Sequence, residues 1–164
     1  MKNRTLIDLV ATLLIYGIVF AVIWVSSDTV VPYILGTNID PGSDQGGVLP
    51  ALIEGFQSYA SVMLGVSLVC YLIWYILGAF VIRPNAPASS WYLIWFVLLL
   101  VIIATAGVVT YESQLNLGDP KNYAPEYVAT FYFASGILLY YIVSVFFSPL
   151  HARYRIWPAR LILG

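Results

Sequence analysis

The chain has 164 residues, of which 61% are hydrophobic and only 9% are charged, and its net charge is −1. About 25% of the residues of a soluble domain are charged, so this composition excludes an ordinary soluble protein and indicates an integral membrane protein. Four spans of about 20 residues with their connections use nearly all of the chain, so we expect a single membrane domain over residues 1–164.

Four long apolar stretches predict four transmembrane helices. The predicted spans cover residues 6–25, 59–82, 91–111 and 127–147. The second span has a helical lead from Pro50, because proline suits the first turn of a helix. Glycine, proline and acidic residues mark the connections as loops. The predicted connecting segments are an outer loop at 26–49, a second outer loop at 112–126 and a tail at 148–164.

Basic and acidic residues separate along the chain. Six of the seven basic residues lie near the termini or between the second and third spans, namely Lys2, Arg4, Arg83, Arg153, Arg155 and Arg160, whereas seven of the eight acids lie in the other connections. Lysine and arginine are retained on the cytoplasmic side, so we predict an all-α integral membrane protein with both termini inside. The only Asn-x-Ser/Thr acceptor, Asn3, then faces the cytoplasm, which favours a bacterial inner membrane over a secretory-pathway membrane.

The residues after the fourth span predict a short interfacial helix. Ser148 and Pro149 suit a helix start, and an apolar face is flanked by cations, a pattern typical of helices in the headgroup layer. The alternative is a plain stop-transfer flank. The predicted interfacial docking residues are Arg153, Arg155, Trp157 and Arg160.

Residues for catalysis or metal binding are scarce in this sequence. His151 is the only histidine and Cys70 the only cysteine, too few for a bis-histidine haem or a zinc site. Asp8 is the one acid within a predicted span, and we expect a first-turn carboxylate favoured by the helix dipole near Lys2 and Arg4. We therefore expect no enzymatic activity and no cofactor.

Small residues in each span predict close helix packing, within the chain or with a partner. A bundle of four helices cannot enclose many such patches, so one or two are candidate partner contacts. The candidates are Gly17, Ala21, Ser61, Gly65, Ala104, Gly107, Ala134 and Gly136.

Two functions remain open from the sequence. The first is a non-catalytic subunit or accessory factor of a larger membrane assembly, such as secretion, conjugation, respiratory or transport machinery. Its partners would be membrane lipids and other integral membrane proteins or further copies of the chain, and no nucleic acid. The alternative is a small oligomeric transporter or channel with a neutral polar pathway. Convergence of the span hydroxyls on one face would favour transport, and scatter would favour a structural role. These hydroxyls belong to Thr12, Tyr16, Ser67, Thr105, Thr110, Thr130, Ser135 and Ser144.

A third hypothesis is a quinone- or lipid-handling enzyme at the inner interface. It would need polar groups gathered around Tyr140, Tyr141 and His151. No base or metal ligand supports His151 in such a role.

Overall fold

A computed structural model of the chain describes residues 2–35, 48–82, 88–116 and 130–149, and all the secondary structure in these ranges is helical. The first three helices are α1, Lys2–Leu35; α2, Val48–Ile76, continued by a π-helical turn at Leu77–Val81; and α3, Ala88–Asn116. The fourth, α4, is described over Thr130–Phe146 and contains a second π-helical turn at Ala134–Leu138.

Three of the helices are long and apolar enough to cross a membrane, and the described part of α4 is apolar but shorter. The apolar spans are Leu6–Val31, Ile53–Val81 and Ser89–Glu112. The all-helical prediction is therefore confirmed for the described residues. The predicted interfacial helix, with Arg153, Arg155, Trp157 and Arg160, lies outside them.

Helix α1 continues well beyond residue 25, where the sequence predicted a loop, and ends at Leu35. The hydroxyls of Ser26 and Ser27 donate to carbonyls of their own helix, so they do not compete with it. Gln57 of α2 donates to the Ser27 hydroxyl at 2.6 Å, and Val31 is buried. Packing against α2 thus overrides the weak local signals that predicted a loop.

Helix α3 also continues past its predicted end, through residues 112–116. The sequence placed the end of the span where Glu112 interrupts the apolar run. A polar residue ends an apolar run but does not stop a helix. The first strong helix-breaking residues after Glu112 are Gly118 and Pro120.

Successive helices run in alternating directions, and α2 occupies the centre. Along α1 and α2 the hydrogen-bonded partners are Thr12 with Tyr71, Tyr16 with Ser67 and Ser27 with Gln57, an antiparallel order. Helix α2 contacts α1, α3 and α4, whereas the main neighbour of α1 is α2. The hydrogen bonds bring the N-terminal part of α1 and the C-terminal end of α4 to the same end of the bundle.

The core between α2, α3 and α4 is dominated by aromatic side chains. Trp74 packs edge-on against Trp91 with ring centroids 6.0 Å apart, and Trp95 stacks on Tyr140 at 5.8 Å. All four side chains are buried. These rings fill the bundle at the end where the C-terminus of α4 lies, and they carry polar atoms that need partners there.

Candidate functional site

A lateral groove of about 380 Å³ runs between α1 and α2. It lies near the middle of both apolar spans, and each wall is a stripe of residues at i, i+3, i+4 and i+7, the spacing of one helix face. The lining residues are Leu13, Tyr16, Gly17 and Phe20 of α1 and Ser61, Leu64, Gly65 and Leu68 of α2.

Two glycines give the groove its width. A Cβ atom built on Gly17 or on Gly65 would meet nothing within 4 Å, and both residues are exposed. Neither glycine is therefore needed to let α1 approach α2. Gly17, Ser61 and Gly65, which the sequence singled out as packing residues, instead line one open surface.

The groove is apolar because its polar atoms have partners elsewhere in the protein. The Tyr16 hydroxyl is 2.8 Å from the Ser67 hydroxyl, and Ser61 donates to the Gln57 carbonyl of its own helix. What remains exposed is largely aliphatic and aromatic surface. Such a surface suits a helix or a hydrocarbon chain.

The small residues of α4 have a different role from those of the groove. A Cβ atom on Gly136 would lie 2.5 Å from Met63 Cε and 3.3 Å from Ile102 Cγ2. Gly136 is buried and lets α4 approach α2 and α3, and Ala134 in the same π-helical turn is half-buried. This is the internal packing that the sequence predicted for small residues.

The remaining small residues lie on exposed faces. Ala104 and Gly107 are exposed on α3, and a Cβ atom on Gly107 would meet nothing within 4 Å. Ala21 is exposed on α1, one turn from Gly17 but outside the groove lining. The eight candidates thus divide between a groove, an internal contact and separate exposed positions.

A chain of buried hydrogen bonds crosses three helices beneath the groove. Ser67 of α2 donates to the Gly136 carbonyl at 2.9 Å, so the Tyr16 hydroxyl of α1 is the donor in its bond to Ser67. The acceptor carbonyl lies in the π-helical turn of α4. Tyr16 therefore belongs both to the groove wall and, through Ser67, to a polar link from α1 to α4.

A second chain lies nearer the end of the bundle. Tyr71 of α2 donates to the Phe147 carbonyl at 2.9 Å and accepts from Thr12 of α1 at 3.0 Å. The Thr12 hydroxyl is also 2.9 Å from the Asp8 carbonyl, so its single hydrogen is shared between two acceptors. Asp8 is only 8% exposed and interacts electrostatically with Tyr71.

The position of Asp8 corrects the expectation from the sequence. The residue lies beyond the first turn of α1, which begins at Lys2, and a helix dipole acts mainly within the first turn. The carboxylate-bearing residue is buried in the bundle rather than placed at a solvated helix start. The sequence hint was its position inside an apolar stretch.

Two tryptophans complete the polar contacts at the end of α4. Trp95 of α3 donates to the Ser144 hydroxyl at 2.9 Å, and Ser144 donates to the Tyr141 carbonyl. Trp74 of α2 donates to the Ser148 hydroxyl at 2.7 Å, and Ser148 donates to the Ser144 carbonyl. In each case an indole N–H donates to a serine hydroxyl, and that hydroxyl donates to a backbone carbonyl of α4.

Two contacts at this end of the bundle have a common physical cause: Tyr71 donates to the Phe147 carbonyl, and Ser148 donates to the Ser144 carbonyl. The last carbonyls of a helix have no partner within it, and in an apolar environment an unpaired carbonyl is costly. Side chains from α2 and α3 supply donors to the final turns of α4, directly or through a serine. Sequence reasoning missed this cluster, although two serines one turn apart, at 144 and 148, were a usable signal.

The span hydroxyls do not form one common lining. Thr12, Tyr16, Ser67 and Ser144 are buried and bonded within the bundle. Thr105 donates to the Val101 carbonyl of its own helix, Ser135 does the same with Tyr132, and Thr130 is exposed. Thr110 is half-buried on α3.

Of the residues that the third hypothesis needs, the structure describes Tyr140 and Tyr141. Tyr140 is buried and donates to the Trp95 carbonyl, Tyr141 is half-buried, and His151 lies outside the described residues. Within the ranges that the structure describes, no three His, Cys, Asp or Glu residues come together as metal ligands. No protein family matches the chain, and neither a curated protein nor a solved structure is significantly similar to it.

Proposed function

We propose that the protein is a non-catalytic subunit or accessory factor of a larger membrane assembly, and that it receives a transmembrane helix of a partner in the groove between α1 and α2. The observation that carries this proposal is the open space beside Gly17 and Gly65. Small residues let two helix backbones approach closely in a membrane, where packing replaces the hydrophobic effect as the driving force. Secretion, conjugation, respiratory and transport complexes are the candidate hosts.

The location of the protein is part of the proposal. We infer that it resides in a bacterial inner membrane with both termini on the cytoplasmic side. Support comes from the positions of the basic residues and from the apolar length of α1, α2 and α3. The start of α1 and the end of α4 lie at the same end of the bundle, as this orientation requires.

The groove can be filled without disturbing the protein itself. Because a Cβ atom at Gly17 or Gly65 meets nothing, Gly17→Leu and Gly65→Leu place new side chains in the groove while the bundle stays folded. We expect both variants to insert normally and to lose at least 10-fold of the partner recovered, corresponding to about 1.4 kcal/mol of binding free energy. The measurement is quantitative mass spectrometry after cross-linking and purification in a mild detergent.

Val22→Leu is the matched control. Val22 is an exposed apolar residue of the same helix that does not line the groove, so its enlargement should leave partner recovery unchanged. Normal recovery with both glycine variants would remove the groove from the contact surface. A homo-oligomer without another protein would shift the interpretation towards the transporter or channel.

Transport receives less support from the arrangement of hydroxyls. Four of the candidate hydroxyls form hydrogen bonds with residues of other helices in the core. The hydroxyls of Thr105 and Ser135 form hydrogen bonds within their own helices. A pathway needs polar groups that can exchange their partners for a solute. The described hydroxyls serve the packing of the bundle better than a passage through it.

A further inference from the structure

The groove between α1 and α2 leads to two exposed acids, Asp28 of α1 and Glu54 of α2. Asp28 follows the groove residue Gly17 by eleven residues. Glu54 precedes the groove residue Gly65 by the same number. Eleven residues make about three turns of an α-helix, so each acid lies on the same helix face as its glycine. The line of the groove therefore continues along both helices to a pair of carboxylates.

The two acids lie at the same end of the groove because α1 and α2 are antiparallel. Gln57 donates to the Ser27 hydroxyl at 2.6 Å, which brings these two positions to one level. Asp28 follows Ser27 directly. Glu54 lies less than one turn before Gln57, so both acids lie just beyond this hydrogen bond. Residues 5–82 include no lysine, arginine or histidine, so this part of the chain supplies no cation for the two carboxylates.

The distance from the glycines to the acids matches half the thickness of a bilayer. Eleven residues rise about 16.5 Å along a helix, and half of the hydrocarbon core is about 15 Å. Gly17 and Gly65 lie near the middle of their apolar spans. In the proposed membrane orientation, Asp28 and Glu54 therefore lie at the level of the outer headgroups.

We propose that the partner helix in the groove carries a lysine or arginine at its outer end, about eleven residues from the side chain that it places beside the glycines. This inference rests on the proposed function and adds the chemistry of the partner. The apolar part of the helix fills the groove, and its terminal cation faces Asp28 and Glu54. Trp24 lies one turn before Asp28 and is 48% exposed, and an indole ring also attracts a cation.

A helix fits this surface better than a phospholipid does. The stripe from Leu13 to Asp28 covers fifteen residues of one helix face, a length of about 22 Å. The phosphate of a lipid headgroup would lie beside two carboxylates and be repelled by them, whereas a lysine or arginine brings positive charge alone.

The acids would also make the groove selective. Lysine and arginine are retained mainly on the cytoplasmic side of membrane proteins, so few transmembrane helices carry a cation at the outer end. Helices with an acid at that end are repelled by Asp28 and Glu54, and repulsion of wrong partners is an effective source of specificity.

Synthetic transmembrane peptides test the proposal on the full-length protein in phosphatidylcholine vesicles. Each peptide is a leucine–alanine helix of about 22 residues, with two lysines, two serines or two glutamates at one end and an identical other end. We expect the lysine peptide to bind about 3-fold to 10-fold more tightly than the serine peptide, as two exposed ion pairs would give, and the glutamate peptide to bind most weakly. The measurement is energy transfer between a donor on the amino terminus of the protein and an acceptor on the peptide.

The double variant Asp28→Asn with Glu54→Gln should remove the preference for lysine and leave binding of the serine peptide unchanged. Glu112→Gln is the matched control. Glu112 is an exposed acid near the end of α3, a helix that does not line the groove, so the preference should persist in this variant. Equal energy transfer for the three peptides with the unaltered protein, or a preference that survives in the double variant, would overturn the proposal.

Two further variants separate the possible causes of a negative result. Gly65→Leu fills the groove and should reduce the binding of all three peptides. If Gly65→Leu does so but the unaltered protein binds the three peptides equally, the groove receives helices without regard to charge, and only the present inference fails. Lys121, between α3 and α4 in the sequence, is the other candidate cation. A preference for lysine that appears only in Lys121→Gln would mean that the chain neutralises its own acids, and would also overturn the proposal.

The lipid composition tests the remaining occupant. The same titrations are repeated in vesicles that contain phosphatidylethanolamine, whose headgroup carries an amine. A lysine preference of the same size in both vesicles supports the partner helix. Displacement of all three peptides by phosphatidylethanolamine, with no dependence on the charge of the peptide end, would identify a lipid amine as the occupant and overturn the proposal.

Discussion

Ser67 is the central residue of one of two polar links between α1, α2 and α4. Ser67→Ala removes the acceptor of the Tyr16 hydroxyl and one of the donors to the Gly136 carbonyl, whereas Tyr16→Phe removes only the outer member of the chain. We expect Ser67→Ala to lower the free energy of unfolding by about 1–3 kcal/mol and Tyr16→Phe by about 0.6 kcal/mol. Equilibrium unfolding in mixed micelles measures both.

Ser61→Ala is the control for this comparison. The Ser61 hydroxyl donates only to a carbonyl of its own helix, one turn away, and it is half-buried beside the groove. Its loss should change stability by less than about 0.5 kcal/mol. Equal losses of unfolding free energy for the three variants would mean that the position of a hydroxyl in the hydrogen-bonded chain does not determine its contribution to stability.

Gly136 and Gly65 are expected to respond in opposite ways to the addition of one methyl group. In Gly136→Ala the new Cβ atom would lie 2.5 Å from Met63 Cε, so the fully buried Met63 side chain has to shift within the core. We expect a loss of about 1–3 kcal/mol of unfolding free energy, the usual result of overpacking. In Gly65→Ala the atom meets nothing, and the better helix propensity of alanine gives no loss or a gain of about 0.5–1 kcal/mol.

The clash at Gly136 can be relieved from the other side. Leucine lacks the terminal methyl group of methionine that lies in the path of the new atom, so Met63→Leu combined with Gly136→Ala should recover part of the lost stability. The same equilibrium unfolding experiment gives the answer. No recovery would indicate that Ile102, the second neighbour at 3.3 Å, resists the change instead.

At the scale of the helix, apolar run length predicted three elements well because a span of that length has few alternatives. The ends were harder to predict, since a polar residue marks the end of an apolar run and not of a helix. Helix α1 shows the difference: Ser26 and Ser27 looked like the start of a loop, but their hydroxyls bond within α1. The contact with Gln57 that keeps this part helical joins residues 30 apart in the sequence.

The candidate site was predictable in its residues but not in its form. The small residues Gly17 and Gly65 indicated close approach of two helices. Whether such a residue packs in the interior or lines a groove depends on the position of α1 relative to α2, which the sequence does not give. Small residues line an open surface in those two helices, whereas Gly136 makes an internal contact. The cluster at the end of α4 was missed because each donor comes from a different helix.

At the scale of the molecule, the helices form an uneven bundle. Helices α2, α3 and α4 share the aromatic core, while α1 packs mainly on α2 and leaves much of its surface exposed. An apolar surface of this extent is compatible with a surrounding bilayer and with a partner alike. The groove lies along the boundary between the three-helix core and α1.

Orientation in the membrane is the remaining property of the whole molecule that a direct measurement decides. In a Cys70→Ser background, we expect an impermeant thiol reagent to label Ser43→Cys and Ser113→Cys from outside, because connections rich in lysine and arginine are retained in the cytoplasm and these two are poor in both. Ser89→Cys is six residues after Arg83 in the sequence and should be labelled only after permeabilisation. Residue 89 is exposed at the start of α3, so a failure to react from outside reflects the membrane and not burial. Labelling of Ser89→Cys alone in intact cells would indicate the reverse orientation.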